Sequence, residues 1–226
     1  MMERRGLVPT ASPALPGEAA PTKGGAVLIE VAAVLAAAIV AAWDPPPLGA
    51  VPVMLPLLVI ASALRWSCGK SFAAVTHARF ISIGALVGLI ALVLAVVLGT
   101  PVAEALSDRP VVWAAYPLVR RNGAAFLTFA VVVAAIALAS ELVLRGWIVE
   151  RVLELGGSTG MAIFAGAVAE ALLVPGPLEA RIGAFAVGLG LGNMYVAAGR
   201  NVAVPIAARI AFGLGALVLE MLRLVG

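Results

Sequence analysis

Between residues 25 and 222 the chain is a succession of apolar stretches separated by short polar or proline-containing joints. A helix needs roughly 20 mostly apolar residues to cross a bilayer. Stretches of this kind fall at about 25–43, 48–66, 80–99, 124–144, 159–174, 181–198 and 202–222. Inside hydrocarbon each backbone N–H and C=O must find its partner within the segment or in a closed barrel, so each stretch is predicted to be helical. The predicted fold is all-α, a polytopic membrane helix bundle of about seven transmembrane helices.

Composition narrows the reading further. Of the 226 residues, 63% are hydrophobic and only 12% are charged, about half the charged share of a soluble domain. A soluble globular enzyme, a disordered chain and a disulfide scaffold are excluded. The net charge is +3, but the basic residues are scattered in short joints, as expected beside membrane helices. The lipid bilayer is therefore the indicated partner, and nucleic acid is not. Cys68 is the single cysteine, so neither an intrachain disulfide nor a cysteine metal cluster is expected. His77 is the single histidine, and no metal or cofactor is expected.

Residues 1–24 carry Arg4, Arg5, Lys23 and four prolines and read as a disordered N-terminal arm. The apolar run that follows starts late and is too long for a signal peptide, so it reads as a retained first helix. Asp44-Pro45-Pro46-Pro47 turns the first two spans into a hairpin. Residues 25–123 make up the N-terminal transmembrane helices and an interfacial connection holding Trp113 and Tyr116, with Arg120-Arg121 as a solvated flank. Residues 124–222 make up the core. Trp43, Trp66 and Trp147 lie near predicted span ends, where tryptophans anchor at the interface. Arg4, Arg5, Lys23, Arg65, Lys70, Arg79, Arg145, Arg151 and Arg200 fall on one side, and Arg109, Arg120, Arg121, Arg181 and Arg223 on the other. That bias places the N-terminus in the cytoplasm.

Charges within spans are expensive, which makes them functional candidates. Four stand out: Glu141 and Arg145 near the predicted end of the fourth span, Glu170 in the fifth and Arg209 in the seventh. Glu141 and Arg145 share a helix face and can pair. Glu170 and Arg209 are lone opposite charges on different spans, and an unpaired buried charge is far worse than a pair, so they are expected to face each other. Glu30 and Glu220 lie nearer span ends and are expected to snorkel. Gly188 and Gly192 allow close helix approach; the surrounding GLGLG run follows no strand and is not a nucleotide loop. Ser140 and Asn193 are expected to hydrogen-bond between helices.

Ser140-Glu141-Leu142-Val143-Leu144-Arg145-Gly146 resembles the EExxxRG signature of the CPBP intramembrane proteases, which include the CAAX prenyl endopeptidases and the bacteriocin-processing or immunity (Abi) proteins. Trp147 to Gly157 resembles the tail of that helix. The run Ala184 to Gly199, followed by Ala203-Val204-Pro205-Ile206-Ala207-Ala208, resembles the last two core helices. The resemblance spans about residues 124–222 and implies a CPBP/CAAX-protease-like core. It also implies a site in which glutamates and a histidine activate water while a second histidine and an asparagine hold the oxyanion, with glutamate and imidazole suited to moving protons. By that resemblance Glu141 and Arg145 match the first motif, and Ser140 stands where its first glutamate belongs. The second motif falls on Gly166 and Glu170, and the third on Arg209 and Gly213. Both histidine positions thus carry opposite charges, and His77 lies outside the motifs.

Three functions compete. The first is a non-catalytic binding or scaffold member of the family, with an ion pair in place of the imidazoles. Its partner would be a membrane peptide, a prenylated or signal-like segment, or an active paralogue. The second is an active endopeptidase with a reduced site centred on Glu141, in which Arg209 stabilises the oxyanion and Glu170 polarises water. The third is a small transporter or channel subunit using Glu170 and Arg209 as pathway charges. The resemblance implies a bacterial inner membrane as the location.

Overall fold

A computed structural model describes residues 78–107, 119–120, 122–174 and 178–222. The arm at 1–24, the spans expected at 25–43 and 48–66, Cys68, His77, Trp113, Tyr116 and Arg121 lie outside the described residues. The described residues form helices and turns, with no strand among them.

The first helix, α1 (Ala78–Leu94), passes through a π-helical turn at Ala95–Gly99 into α2 (Thr100–Ser107). Pro101 explains the wide turn. It has no N–H to donate, and its ring crowds the carbonyl four residues back. The helix survives by widening, with the Thr100 N–H reaching back to the Ala95 carbonyl. Asn122 starts α3 (Gly123–Val143), its side chain accepting from the Ala125 N–H at 3.1 Å.

The expected span end at 144 is corrected by the structure. The helix continues through a second π turn at Leu144–Val149 into α4 (Glu150–Glu154). The stop comes at Gly156, whose φ of 81° suits glycine. There the Gly157 N–H bonds the Val152 carbonyl and the Gly156 N–H bonds the Leu153 carbonyl, both at 3.0 Å. Ser158 caps α5 (Thr159–Leu173) by accepting from the Met161 N–H at 3.3 Å. α6 (Leu178–Ala197) ends in the same way as α4. Gly199 has φ 70°, and the Arg200 N–H reaches the Tyr195 carbonyl at 2.9 Å. In α7 (Ala203–Met221), Pro205 sits in the first turn, where a backbone N–H has no helical partner to lose.

Of the five spans expected here, three helical runs are long and apolar enough to cross a membrane: Ala78–Ala105, Gly123–Glu154 and Ala203–Met221. α5 is apolar but shorter. In α6, Glu179, Arg181, Asn193 and the glycines dilute the apolar character.

Small residues set the packing. Gly84 and Gly88 on α1 press directly on the backbone of α7. A Cβ on Gly84 would collide with the Val204 carbonyl, and one on Gly88 with the Ala208 carbonyl. α5 and α6 are equally close: a Cβ on Gly188 would stand 2.7 Å from Ala167 Cα, and one on Gly192 2.9 Å from Ile163 Cγ2. Both pairs are glycines four residues apart, the spacing that lets helix backbones meet. Phe164 and Phe185 add an edge-to-face contact, with centroids 5.6 Å apart. Val149, Ala162, Tyr195 and Val202 close the core where the ends of α3–α4, α5, α6 and α7 meet.

Candidate functional site: a buried four-charge network

Three helical runs deliver one charge cluster. Glu141 comes from α3, Arg145 from the π turn after it, Glu170 from α5 and Arg209 from α7. Arg145 Nη1 donates to Glu141 Oε1 at 3.2 Å. Its Nη2 donates to Glu170 Oε2 at 2.5 Å and to the Gly188 carbonyl of α6 at 3.0 Å. Arg209 Nε donates to Glu141 Oε1 at 2.5 Å, and Arg209 Nη2 donates to Glu170 Oε1. Each carboxylate therefore faces both guanidiniums, and the cluster sums to zero charge. Glu141 and Arg145 have no exposed side-chain surface, Glu170 has 5%, and Arg209 has 25%.

The closed arrangement makes physical sense. Taking a charge out of water carries a large desolvation penalty, which only good geometry and further hydrogen bonds offset. The network supplies both, and Gly188 contributes in two ways. Its carbonyl accepts from Arg145, and its missing side chain leaves room for Glu170, since a Cβ there would lie 3.1 Å from Glu170 Oε2. Two buried atoms keep unmet hydrogen-bonding capacity, Glu141 Oε2 and Arg145 Nε.

The structure brings together Glu141, Arg145, Glu170 and Arg209, including the expected pairing of Glu170 with Arg209. Glu141 and Arg145 are not at a helix end, however; the helix runs on to Glu154. Ser140 is buried and donates from Oγ to the Ala137 carbonyl of its own helix at 3.2 Å, not between helices. Asn193 is exposed and likewise donates within its helix, to the Leu189 carbonyl at 2.8 Å. Gly166 packs against Val149 and Gly213 against Val133, so both serve helix contact.

Two further expectations are corrected. Trp147 is not an interfacial anchor: it lies inside the second π turn and is wholly buried. Glu220 does not snorkel: it is buried and accepts from Arg120 Nε at 2.5 Å, which also corrects the reading of Arg120 as a purely solvated flank.

A second polar cluster escaped the sequence reading. Glu150 accepts from Tyr195 Oη at 2.7 Å and from both Nε and Nη2 of Arg200. This fork ties the end of α3–α4 to the turn between α6 and α7. It also anchors Arg200, which holds the left-handed backbone at φ 65°. The signal was present in the stop-start run Gly156-Gly157-Ser158, which would have extended the fourth helix past Glu150.

Among the described residues no three of histidine, cysteine, aspartate and glutamate gather as metal ligands. Comparison with protein-family models, curated proteins and solved structures gives no match to this chain.

Proposed function

We propose that this chain is a polytopic membrane protein of the CPBP, CAAX-protease-like type whose former catalytic centre has become a structural and binding centre. In this reading the segments 25–43 and 48–66 and helices α5 and α6 join the three long apolar helices in the bilayer, giving about seven spans. The N-terminus is cytoplasmic, and the membrane is a bacterial inner membrane. The partner is a membrane peptide, a prenylated or signal-like segment, or an active paralogue.

The observation that carries this reading is the occupancy of the charged groups. A general base needs a carboxylate poised to take a proton from water. Here both carboxylates are held by two guanidiniums each, and no imidazole stands among the described helices. A neutral network with both carboxylates paired stabilises a bundle but offers no group tuned for proton transfer.

The test compares the N-termini of membrane proteins in cells with the wild type, a deletion and E141Q at matched abundance. The expected result is that no processed terminus depends on Glu141, while deletion alone changes the cell. Loss of the same processed termini in both the deletion and E141Q overturns the reading in favour of a reduced-site endopeptidase.

A further inference from the structure

Arg209 is the one member of the network that is open to its surroundings. A quarter of its side-chain surface is exposed, and Nη1 has no partner among the described residues. Nε and Nη2 are turned inward to Glu141 and Glu170, so the end of the guanidinium faces outward with hydrogen atoms to donate. A bare donor edge within a bilayer needs an acceptor from water or from lipid.

Position favours a headgroup. Arg209 lies only about 9 Å along α7 from its first residue, at 1.5 Å of rise per residue. That end of the bundle is fixed by the Glu150–Tyr195 and Glu150–Arg200 bonds, which tie α4, shortly before α5, to the end of α6 and the turn before α7. α5 starts there and has 15 residues, or about 22 Å, against a hydrocarbon thickness of about 30 Å. A short helix draws the bilayer thinner around it and brings headgroups inward. The remaining Nη1 of a guanidinium is a charge-assisted donor suited to a phosphate oxygen.

We propose that the outward edge of Arg209 binds a phosphate oxyanion, supplied by the headgroup of a bilayer phospholipid. The two carboxylates behind Arg209 are balanced by Arg145 and by Arg209 itself, so the oxyanion meets a neutral centre with a donor edge, and binding is modest and exchangeable. The inference rests on the proposed reading only in treating the network as a binding centre within the membrane. Its readout is retained lipid rather than cleaved protein, so the two can fail separately.

The test uses the full chain purified in detergent and native mass spectrometry. The added probes are phosphatidylglycerol, a phosphate-free galactolipid, and inorganic phosphate as competitor. E141Q/R209Q removes the guanidinium yet keeps the charge sum at zero, and R209K keeps the charge without the third guanidinium nitrogen that faces outward. Wild type is expected to retain phosphatidylglycerol over galactolipid, with retention falling about tenfold in E141Q/R209Q, the loss of roughly one charge-assisted hydrogen bond. A smaller drop is expected in R209K. Competition by inorganic phosphate shows that a free anion also satisfies the edge; absence of competition shows that the acyl chains contribute. Equal retention of the two lipids by wild type, or undiminished retention in every folded variant, overturns the proposal.

Discussion

Arg145 and Glu170 are separated by 25 positions in sequence, yet Nη2 of one lies 2.5 Å from Oε2 of the other, both side chains buried. The contact joins α5 to the long helical run that precedes it. It also places the lone carboxylate of α5 between two cations, because Arg209 closes on its other oxygen.

Removing one carboxylate should therefore leave two guanidiniums sharing the other. E170Q is expected to destabilise the folded chain by roughly 3–5 kcal/mol, the usual loss on breaking a buried pair. E170Q/R209Q restores a zero charge sum and should recover part of that loss, with a coupling of about 0.5–3 kcal/mol. Thermal unfolding in detergent measures both. Additive losses would mean that the four charges act independently.

The glycines make a second, purely steric test. Gly88→Ala is expected to cost about 1–3 kcal/mol, because its methyl group meets the Ala208 carbonyl and the two helices must part. Gly190→Ala is the matched control. Nothing lies within 4 Å of its added methyl, so the gain in helix propensity, about 1 kcal/mol, should make it neutral or stabilising. Melting temperatures of the two variants check this; similar losses in both would remove backbone contact as the cause.

The Glu150–Arg200 fork carries a pH signature. Donating hydrogen bonds to the Glu150 carboxylate raises the Arg200 pKa above its ordinary value, against opposition from burial. A group raised in the folded state gives stability that is complete below its unfolded pKa and lost as pH rises through the folded one. For arginine that loss lies far into the alkaline range, so the fork should hold unchanged from about pH 6 to about pH 10. R200K carries a group that ordinarily titrates near about 10.4. Its melting temperature should fall away from the wild-type curve as pH rises past that value. Parallel curves for the two proteins would show that the fork does not contribute.

Trp147 gives a spectroscopic test of the corrected helix. A variant keeping only this tryptophan (Trp43, Trp66 and Trp113 each changed to Phe) should show emission shielded from iodide in water and also from spin-labelled lipid. An interfacial tryptophan would be quenched by headgroup-level labels. Such quenching would contradict the zero exposure of its side chain.

Much of the described fold was legible because it rests on one-dimensional signals. Apolar length located α1, α3, α5, α6 and α7, and the cost of a lone charge in a span anticipated that Arg209 would meet Glu170. The early helix end and the snorkelling Glu220 share a cause: polarity reads as an exit from the membrane. Arg145, Glu150 and Arg151 suggested a loop, yet all three are buried in one continuous helix because partners from α5 and later elements, or from the same run, receive them. Neither π turn has a periodicity that a window over the sequence detects. The Gly188 carbonyl was invisible for a simpler reason: backbone acceptors leave no mark in residue types. Gly84 and Gly88 did leave one, the same four-residue spacing as Gly188 and Gly192.

The contact between α1 and α7 also bears on how the chain is made. At Gly84 and Gly88 its surfaces meet backbone to backbone, where no side chain can change rotamer to relieve the seam; only farther along, at Gly215, do Leu89 and Leu92 of α1 fill it. Domains emerge N-terminal part first during synthesis, so α1 enters the membrane long before α7 exists. Until then the notch at Gly84 and Gly88 faces acyl chains or a chaperone. The last helix must evict that temporary neighbour while also delivering Arg209 to its two carboxylates, which makes closure of the bundle a single late event in biogenesis.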